Sequence, residues 1–275
     1  MRGFDGRCGK ARVRGKILLS FDIEEFDLPR EHGQMISLTE GVKVSSEGVE
    51  KILELLARMK VKATFFCTGN FAEARPDLIL RMVEDGHEVA CHGVDHFNPK
   101  SSDACESKKI VEKVAGVKVS GYRQPRMFPI SYKELSRCGY KYDSSVNPAF
   151  IPGRYNHLDT PRVPFMREDI LEIPTSVAGF MRVPLFWLAL HLFPVGLYAR
   201  MAKMSIRKTG YLATYFHPWE FASALRHYKV VPGYIKKNSG EKLVARLERV
   251  IRELRGYEFV TYDEYADDSL TCNNR

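Results

Sequence analysis

Six side chains of the types that metal-dependent hydrolases use occur in four short motifs. The motifs are Asp-Ile-Glu-Glu at 22–25, His-Gly-Val-Asp-His at 92–96, Arg-Gln-Pro at 123–125 and His-Pro-Trp-Glu at 217–220. Each motif lies at or just after the end of a short, apolar, β-prone run. In an α/β barrel, reactive side chains lie at the carboxyl ends of the parallel strands. This repeated placement predicts one active site, whose candidate residues are Asp22, Glu24, His92, His96, Arg123 and His217.

Asp22 and Glu24 are two residues apart on a predicted strand, so their side chains point to the same side. Two carboxylates on one side repel each other unless a positive charge lies beside them. A metal ion would remove this repulsion, with one carboxylate as its ligand and the other as a base. The alternative interpretation is a pair of surface acids at the end of a strand.

His92 and His96 are separated by three residues and could reach a single ion if a tight turn follows the strand. Two imidazoles, a carboxylate and an open position for water describe a catalytic site of the zinc type. The alternative is that both are ordinary surface or core histidines.

Arg123 and His217 complete the set at the ends of two further strands. Beside a carboxylate base, Arg123 would hold that group ionised and oriented; otherwise it is a simple salt-bridge partner. His217 would act as a general acid; otherwise it is a partly buried histidine that packs on Trp219.

Strand-like and helix-like segments alternate along the chain, which favours a mostly parallel sheet. Strands are predicted at 17–24, 63–67, 88–91, 119–122, 142–146, 211–216 and 258–262. Helices are predicted at 45–60, 76–84, 101–115, 131–138, 185–204 and 239–254. These elements predict an α/β fold, a distorted (β/α) barrel of about seven parallel strands. Residues 16–265 are predicted to form this domain, 1–15 a mobile basic arm, and 266–275 a loose tail.

The composition is that of an ordinary globular domain. The chain has 275 residues, of which 44% are hydrophobic and 28% charged, and its formal net charge is +8. This length can bury a sizeable core without a structural metal. No basic helix and no interleaving of aromatic and basic residues is present, so no nucleic-acid partner is predicted.

Cysteine spacing and apolar runs bear on location. No two of the six cysteines are spaced as Cys-x-x-Cys, so free thiols in a reducing compartment are expected. The first residues lack the apolar segment of a secretory signal, which predicts a cytoplasmic protein. The run at 183–199 is short and broken for a membrane span, and basic residues follow it. Segment 183–208 is expected to pack in the core or, alternatively, to lie at the inner membrane face as an interfacial helix.

Taken together and in this order, the motifs resemble the polysaccharide deacetylase family, which carries the NodB homology domain. That family has a carboxylate motif on its first strand, then Thr-Phe-Phe, His-[Ser/Thr]-x-x-His, Arg-x-Pro and a late strand-end histidine. Here Thr-Phe-Phe occurs at 64–66, and Gly-His-Glu-Val-Ala-Cys-His at 86–92. The first and last motifs resemble those of a subgroup with Asp-x-Glu and His-Pro-Trp-Glu. The resemblance spans about residues 16–262 and implies a NodB-like barrel.

The resemblance implies hydrolysis of an N-acetyl group on an amino sugar of a polysaccharide or its precursor. It also implies a divalent metal, with zinc expected and cobalt or nickel as alternatives. His92, His96 and Glu24 would bind this metal, and Glu25 is the alternative carboxylate.

The remaining roles follow from the same resemblance. Asp22, steadied by Arg123, would remove a proton from the attacking water, and His217 would protonate the departing amine. The residues expected to line the substrate groove are Trp219, Tyr122 and Pro125.

Three other functions are compatible with the same residues. One is a deformylase or deacetylase of a lipid-linked sugar at the membrane face. Another is a non-catalytic protein that binds carbohydrate, and the remotest is a hydrolase of small cyclic amides. No oligomeric state is predicted.

Overall fold

The computed structural model describes residues 15–152 and 155–273. The strands are β1 (Lys16–Ile23), β2 (Thr64–Cys67), β3 (Glu88–Cys91), β4 (Gly121–Tyr122), β5 (Tyr142–Asp143), β6 (Phe150–Ile151), β7 (Tyr155–Asn156), β8 (Phe165–Arg167), β9 (Ile170–Glu172), β10 (Val177–Ala178), β11 (Val183–Pro184), β12 (Tyr211–Phe216) and β13 (Glu258–Phe259). The helices are α1 (Leu28–Glu31), α2 (Leu38–Met59), α3 (Gly69–Ala74), α4 (Pro76–Glu84), α5 (Ala104–Ala115), α6 (Tyr132–Arg137), α7 (Trp187–Leu192), α8 (Val195–Thr209), α9 (Gly233–Lys236), α10 (Glu241–Glu253) and α11 (Tyr262–Asn273).

One sheet forms the centre of the molecule. Seven strands run parallel to their neighbours in the order β12-β1-β2-β3-β4-β5-β9, β8 pairs antiparallel with β9, and β13 pairs with β1. Beyond β9, the backbone N–H of Ser176 donates to the carbonyl of Ala213 in β12 at 2.9 Å. This bond joins the two ends of the parallel path, so the sheet curls into an incomplete barrel. The predicted distorted barrel of about seven parallel strands is confirmed.

The side chains on the two faces of β1 belong to two different apolar layers. Ile17, Leu19 and Phe21 pack against the surrounding helices in the larger core cluster. Leu18 lies on the opposite face, in a second cluster with residues from the other strands such as Phe66. Since successive side chains of a strand point to opposite faces, Leu18 and the even-numbered residues after it face the barrel interior.

Helix α11 covers the end of the barrel where the strands begin. The backbone N–H of Tyr262 donates to Thr64 Oγ1 at 2.9 Å, and that of Asp263 donates to Glu88 Oε2 at 3.0 Å. Tyr262 and Ala266 are fully buried, and Leu270 packs against the interior cluster. The prediction of a loose tail after Ala266 is therefore wrong up to residue 273, because an apolar face holds this segment against the barrel.

Two helix boundaries also differ from the predictions. α2 begins at Leu38 rather than near Ser45, because the hydroxyl of Ser37 accepts the N–H of Glu40 and caps the helix about two turns earlier. The apolar segment at 185–204 is two helices, because Pro194 lacks an N–H and interrupts the chain between α7 and α8. Neither of them, nor any other described helix, has the length and apolarity to cross a membrane.

The expectation of free thiols holds for only part of the cysteines. Cys67 and Cys91 are free and buried. Cys105 in α5 and Cys138, which follows α6, form a disulfide. The spacing of 33 residues gave no signal for this pairing, since only the packing of α5 beside α6 brings the two sulfurs together. The basic arm predicted at 1–15 lies, except for Gly15, outside the described residues.

Candidate metal centre and active site

The strand ends bring the candidate residues to one edge of the barrel. Asp22 has the same orientation as Leu18 on β1, so it faces the interior above the apolar cluster. Glu24 follows the end of β1, and His92 follows the end of β3. The register pairs Asp22 with Phe66 and Ile23 with Cys67, which in turn pairs with Cys91. The parallel register therefore places the carboxylate and histidine motifs at the same height.

Glu24, His92 and His96 form a compact set of metal-ligand atoms. One carboxylate oxygen and one nitrogen from each imidazole all lie within 4.8 Å of one another, and all three residues are buried. Nε2 of His92 lies 3.5 Å, and Nε2 of His96 2.8 Å, from Glu24 Oε2. Such a carboxylate and imidazole set suits a divalent metal of the zinc type.

Hydrogen bonds at the outer nitrogens decide which imidazole atoms face the set. His92 Nδ1 lies 2.8 Å from the carbonyl oxygen of Arg123, and His96 Nδ1 lies 2.9 Å from Asp27 Oδ2. Since a carbonyl can only accept, Nδ1 of His92 carries the proton and its Nε2 presents a lone pair. The Asp27 carboxylate orients His96 in the same way. This is the outer-shell arrangement of histidines that bind metals.

The carboxylate of Glu24 is only half satisfied by the protein. Its Oε1 accepts the indole N–H of Trp219 at 2.9 Å. Its Oε2 is buried and has no hydrogen-bond partner, although two imidazole nitrogens converge on it. A buried carboxylate oxygen without a donor is costly. A bound cation would satisfy this oxygen and both lone pairs, so the residues fit a metal ion.

The electrostatics of the site also favour a cation. Burial raises the pKa of Glu24, but His96 and His217 outweigh it and hold this pKa well below its ordinary value. Burial lowers the pKa of His96, but the carboxylates of Glu24 and Asp27 raise it well above its ordinary value. The site thus keeps the carboxylate of Glu24 ionised and stabilises positive charge beside it.

Glu25, the alternative carboxylate ligand, has a different place. Its Oε2 accepts from the hydroxyl of Thr68 at 2.8 Å, and its Oε1 accepts the backbone N–H of His96 and the side chain of Asn70, both at 3.2 Å. It therefore holds the histidine loop rather than joining the set of ligand atoms. The carboxylate of this set is that of Glu24.

A glycine gives the histidine loop its turn. Gly93 has a φ of +70°, a conformation that side chains rarely adopt. A Cβ at this position would lie 3.0 Å from Pro125 Cγ. Pro125 therefore packs beneath the loop that carries His92 and His96, and only a glycine fits between them without a shift.

Arg123 is the centre of a buried polar network around Asp22. It is fully buried, and its Nη1 donates to Asp22 Oδ1 at 2.5 Å and to Ser20 Oγ at 3.0 Å. Its Nη2 donates to Ser144 Oγ and to the hydroxyl of Tyr262, both at 3.1 Å. Burial lowers the pKa of Arg123, but Asp22 outweighs it and raises this pKa above its ordinary value. The ion pair is therefore fixed in place at the bottom of the site.

His217 belongs to a second buried chain of polar groups. Its Nδ1 lies 2.9 Å from Glu220 Oε1, and Nε2 of His191 in α7 lies 2.8 Å from Glu220 Oε2. Its ring stacks on Trp219 with centroids 5.1 Å apart. Burial lowers the pKa of His217, but Glu24 and Glu220 outweigh it and raise this pKa above its ordinary value.

A cavity of about 350 Å³ opens over both groups of residues. Asp22, Glu24, His92, His96 and His217 all line it, so the structure brings five of the six candidates to one surface. Arg123 is not on that surface because it lies beneath Asp22. Aromatic walls come from the second half of the chain, namely Phe186, Trp187, Tyr215 and Trp219.

The predicted groove residues are only partly correct. Trp219 lines the cavity as predicted. Tyr122 does not, since it is fully buried, packs on Tyr140 and donates its hydroxyl to Gln124. Pro125 is buried beneath Gly93 and does not line the cavity either. Tyr122 is the last residue of β4 and Pro125 lies three residues beyond it, where neighbouring residues alternate between the site and the core.

Several residues of the site were not predicted. Asp27, which orients His96, could have been found from the cluster of acids that begins at Asp22. Glu220 lies in the same motif as His217, three residues later. His191 and Trp187 carried no recognisable signal, because they occur in an apolar helix far from every motif.

Comparison with known protein families identifies a match for each half of the chain. Residues 14–142 match the family described as polysaccharide deacetylase, and residues 144–267 match a domain of unknown function, DUF3473. The first half of the chain is thus similar to the polysaccharide deacetylase family, and the second half to this domain of unknown function.

Curated relatives agree with this assignment over part of their length. A peptidoglycan deacetylase of Helicobacter pylori is 27% identical over 118 residues, which are 40% of this chain and 40% of the relative. The peptidoglycan-N-acetylmuramic acid deacetylase PdaA of Bacillus subtilis is 34% identical over 101 residues, which are 33% of this chain and 38% of the relative. The chain thus spans about two fifths of these relatives.

A solved structure extends the similarity to nearly the whole chain. A putative polysaccharide deacetylase from Mycobacterium smegmatis superimposes with a TM-score of 0.66 at 18% identity. The match covers 97% of this chain and 94% of the other. At this identity the match shows a shared fold, which includes the second half of the chain.

Proposed function

We propose that the protein is a metal-dependent hydrolase that removes N-acetyl groups from amino sugars of a polysaccharide or its precursor. The observation that carries the proposal is the convergence of three groups on one cavity. These are the ligand set of Glu24, His92 and His96, the ion pair of Asp22, and the imidazole of His217. The family assignment and the names of the relatives support the same reaction class.

Glu24, His92 and His96 would hold a divalent metal, for which we propose zinc, with cobalt or nickel as alternatives. Such a metal acts as a Lewis acid that polarises the acetamide carbonyl. Trp219 and Asp27 would orient two of the ligands, since each makes a hydrogen bond to the outer side of a ligand.

Asp22 is the proposed general base. It lines the cavity beside the ligand set but is not one of the three residues of that set. Its carboxylate can therefore take a proton from the attacking water. Arg123 fixes the direction of this carboxylate through the bond of 2.5 Å. Tyr262 and Ser144 hold the guanidinium from the other side.

His217 is the proposed general acid. The Glu220 carboxylate orients Nδ1, which leaves Nε2 for the cavity side. Its raised pKa extends the pH range over which the imidazole is protonated. The imidazole can then donate a proton to the amine nitrogen as the C–N bond breaks. The aromatic walls contributed by Trp187 and Trp219 provide apolar surfaces for a sugar ring.

Metal content and acetate release test the proposal together. Purified wild-type protein and His92→Ala are compared by elemental analysis and by acetate release from an N-acetylglucosamine oligomer. We expect about one zinc, cobalt or nickel ion per wild-type chain, none in the variant, and acetate release by the wild type alone. Wild-type protein that takes up none of the three metals would overturn the proposal in favour of a carbohydrate-binding protein.

A further inference from the structure

Two short hairpins carry exposed apolar side chains beside the cavity. The strand pair β10–β11 is connected by Gly179–Arg182, and at its tip Phe180 is 97% and Met181 85% exposed. The strand pair β6–β7 carries Phe150, which is 54% exposed. We call residues 150–151 and 177–184 of these hairpins the rim. Side chains of this size are rarely left in water in such a group without a partner.

Hydrogen bonds hold the two hairpins next to each other. Arg182 donates to the carbonyls of Pro148 and Thr160, on either side of β6–β7. Arg162 donates to the carbonyls of Gly179 and Phe180 in the hairpin tip. The two hairpins therefore lie side by side, with the two guanidinium groups between them.

The charge at the base of the rim is unbalanced. Among the residues that the structure describes, neither Arg162 nor Arg182 forms an ion pair, and both bind only carbonyls through these bonds. Burial and the neighbouring Arg162 lower the pKa of Arg182, while Asp159 opposes them. Among the described residues, the guanidinium groups of Arg162 and Arg182 and the carboxylate of Asp159 sum to net positive charge, which complements an anionic surface.

The rim is continuous with the cavity. Ile151 in β6 lines the cavity, as does Phe186, which is separated from β11 by a single residue. A surface that touches the rim would therefore lie at the mouth of the proposed active site.

We propose that the rim docks on an anionic lipid bilayer. A protruding tip with two apolar side chains and arginines behind it suits the boundary between headgroups and acyl chains, where apolar groups are buried and cations meet phosphates. A lipid-linked glycan would then reach the cavity from the bilayer surface. This substrate class rests on the proposed deacetylase function, whereas the docking itself does not.

Vesicle co-sedimentation tests the docking. The full chain is mixed with phosphatidylcholine vesicles that contain phosphatidylglycerol or lack it. We expect binding to the anionic vesicles that weakens as the salt concentration rises. The double variant Phe180→Ser/Met181→Ser should bind about tenfold more weakly or worse, because it loses both apolar anchors.

Two further variants make the test specific. Leu80→Ser changes a residue on α4 that is 44% exposed, so it controls for the general loss of surface apolarity and should bind as the wild type does. Leu197→Ser/Met204→Ser changes the exposed apolar residues of α8. Loss of binding in the α8 variant with retention in the rim variant would overturn the proposal, as would wild-type protein that ignores anionic vesicles.

Acetate release from a soluble oligomer separates this proposal from the proposed function. We expect the rim variant to release acetate at the wild-type rate, because neither residue lines the cavity. Wild-type activity without vesicle binding refutes the docking alone. Vesicle binding that depends on the rim, without activity towards any acetylated sugar, supports the docking and refutes the deacetylase.

Discussion

The two halves of the chain build the site in different ways. Residues 16–142 contain the long central strand β1, the candidate metal-ligand set and the proposed base with its arginine. Residues 144–267 contribute one long strand, β12, and otherwise short pairs of strands, together with His217, its buried partners and the aromatic walls. The family match falls on the first half and the domain of unknown function on the second.

This difference indicates that the two halves of the chain have different roles in the site. The half that matches the family carries the groups that would activate water. The other half carries the proposed acid and the aromatic walls of the cavity. Reaction type and substrate choice can then vary separately, as on other folds where sites are built on a shared scaffold.

The largest effect is expected in the first half, for Asp22→Asn. Activity should fall by about 10²–10⁴-fold because the proposed base is lost. The free energy of unfolding should fall by about 3 kcal/mol, since Arg123 is left as a buried charge without its partner. Kinetics and chemical denaturation measure the two effects, and metal content should stay at the wild-type level.

Asp77→Asn is the matched control for stability. Asp77 pairs with Arg75 at the surface, where its side chain is 62% exposed. Loss of this pair should cost less than about 1 kcal/mol. Equal destabilisation by both substitutions would contradict the buried network.

The next largest effect is expected in the second half of the chain, at the proposed general acid. His217→Gln should lower kcat by about 10²–10³-fold because the departing amine would lack its proton donor. Metal content should not change, since His217 is not in the ligand set. The exposed His227 provides a control, His227→Gln, with wild-type kinetics expected. A variant of His217 that lost its metal would place this residue among the ligands instead.

A smaller effect tests the contact between the halves. Trp219→Phe removes the indole N–H that binds Glu24 Oε1 but keeps an aromatic ring. Metal affinity should fall by about 10–100-fold, measured by competition with a chelator. Trp187→Phe is the control because Trp187 lines the same cavity and makes no bond to Glu24. If both variants weaken the metal equally, the indole bond is not the cause.

The smallest effect is a change in pH dependence. Glu220 raises the pKa of His217, so the acid form is lost only as pH rises through that raised value. Glu220→Gln removes this effect, and the alkaline limb of the kcat/KM profile should move to lower pH. Glu241→Gln changes an acid whose side chain is 72% exposed and should leave the profile unchanged. An alkaline limb that does not move would exclude His217 as its source.

Some of these features were predictable from the sequence because they depend on local periodicity. The alternation of β1 predicted that Asp22 and Glu24 share a face, and the positions of the motifs at strand ends predicted a common edge. The barrel followed from alternating strands and helices, since parallel strands need helical connections.

Other features depend on residues that are distant in the sequence, and only the tertiary structure decided them. Glu24 rather than Glu25 joins the ligand set because Thr68 and Asn70 bind Glu25 on the other side of the loop. Trp187 lines the cavity and Tyr122 is buried in the core, and both positions depend on how distant elements pack together.

The last helix shows the same limit. Nothing in the polar segment after Tyr262 predicts that this tyrosine reaches Arg123 through the barrel interior. The sequence by itself determined which chemical groups stand at the strand ends, because strand geometry is local. The tertiary structure determined which of them face each other, because that depends on how the sheet curls and on which side chains fill its interior.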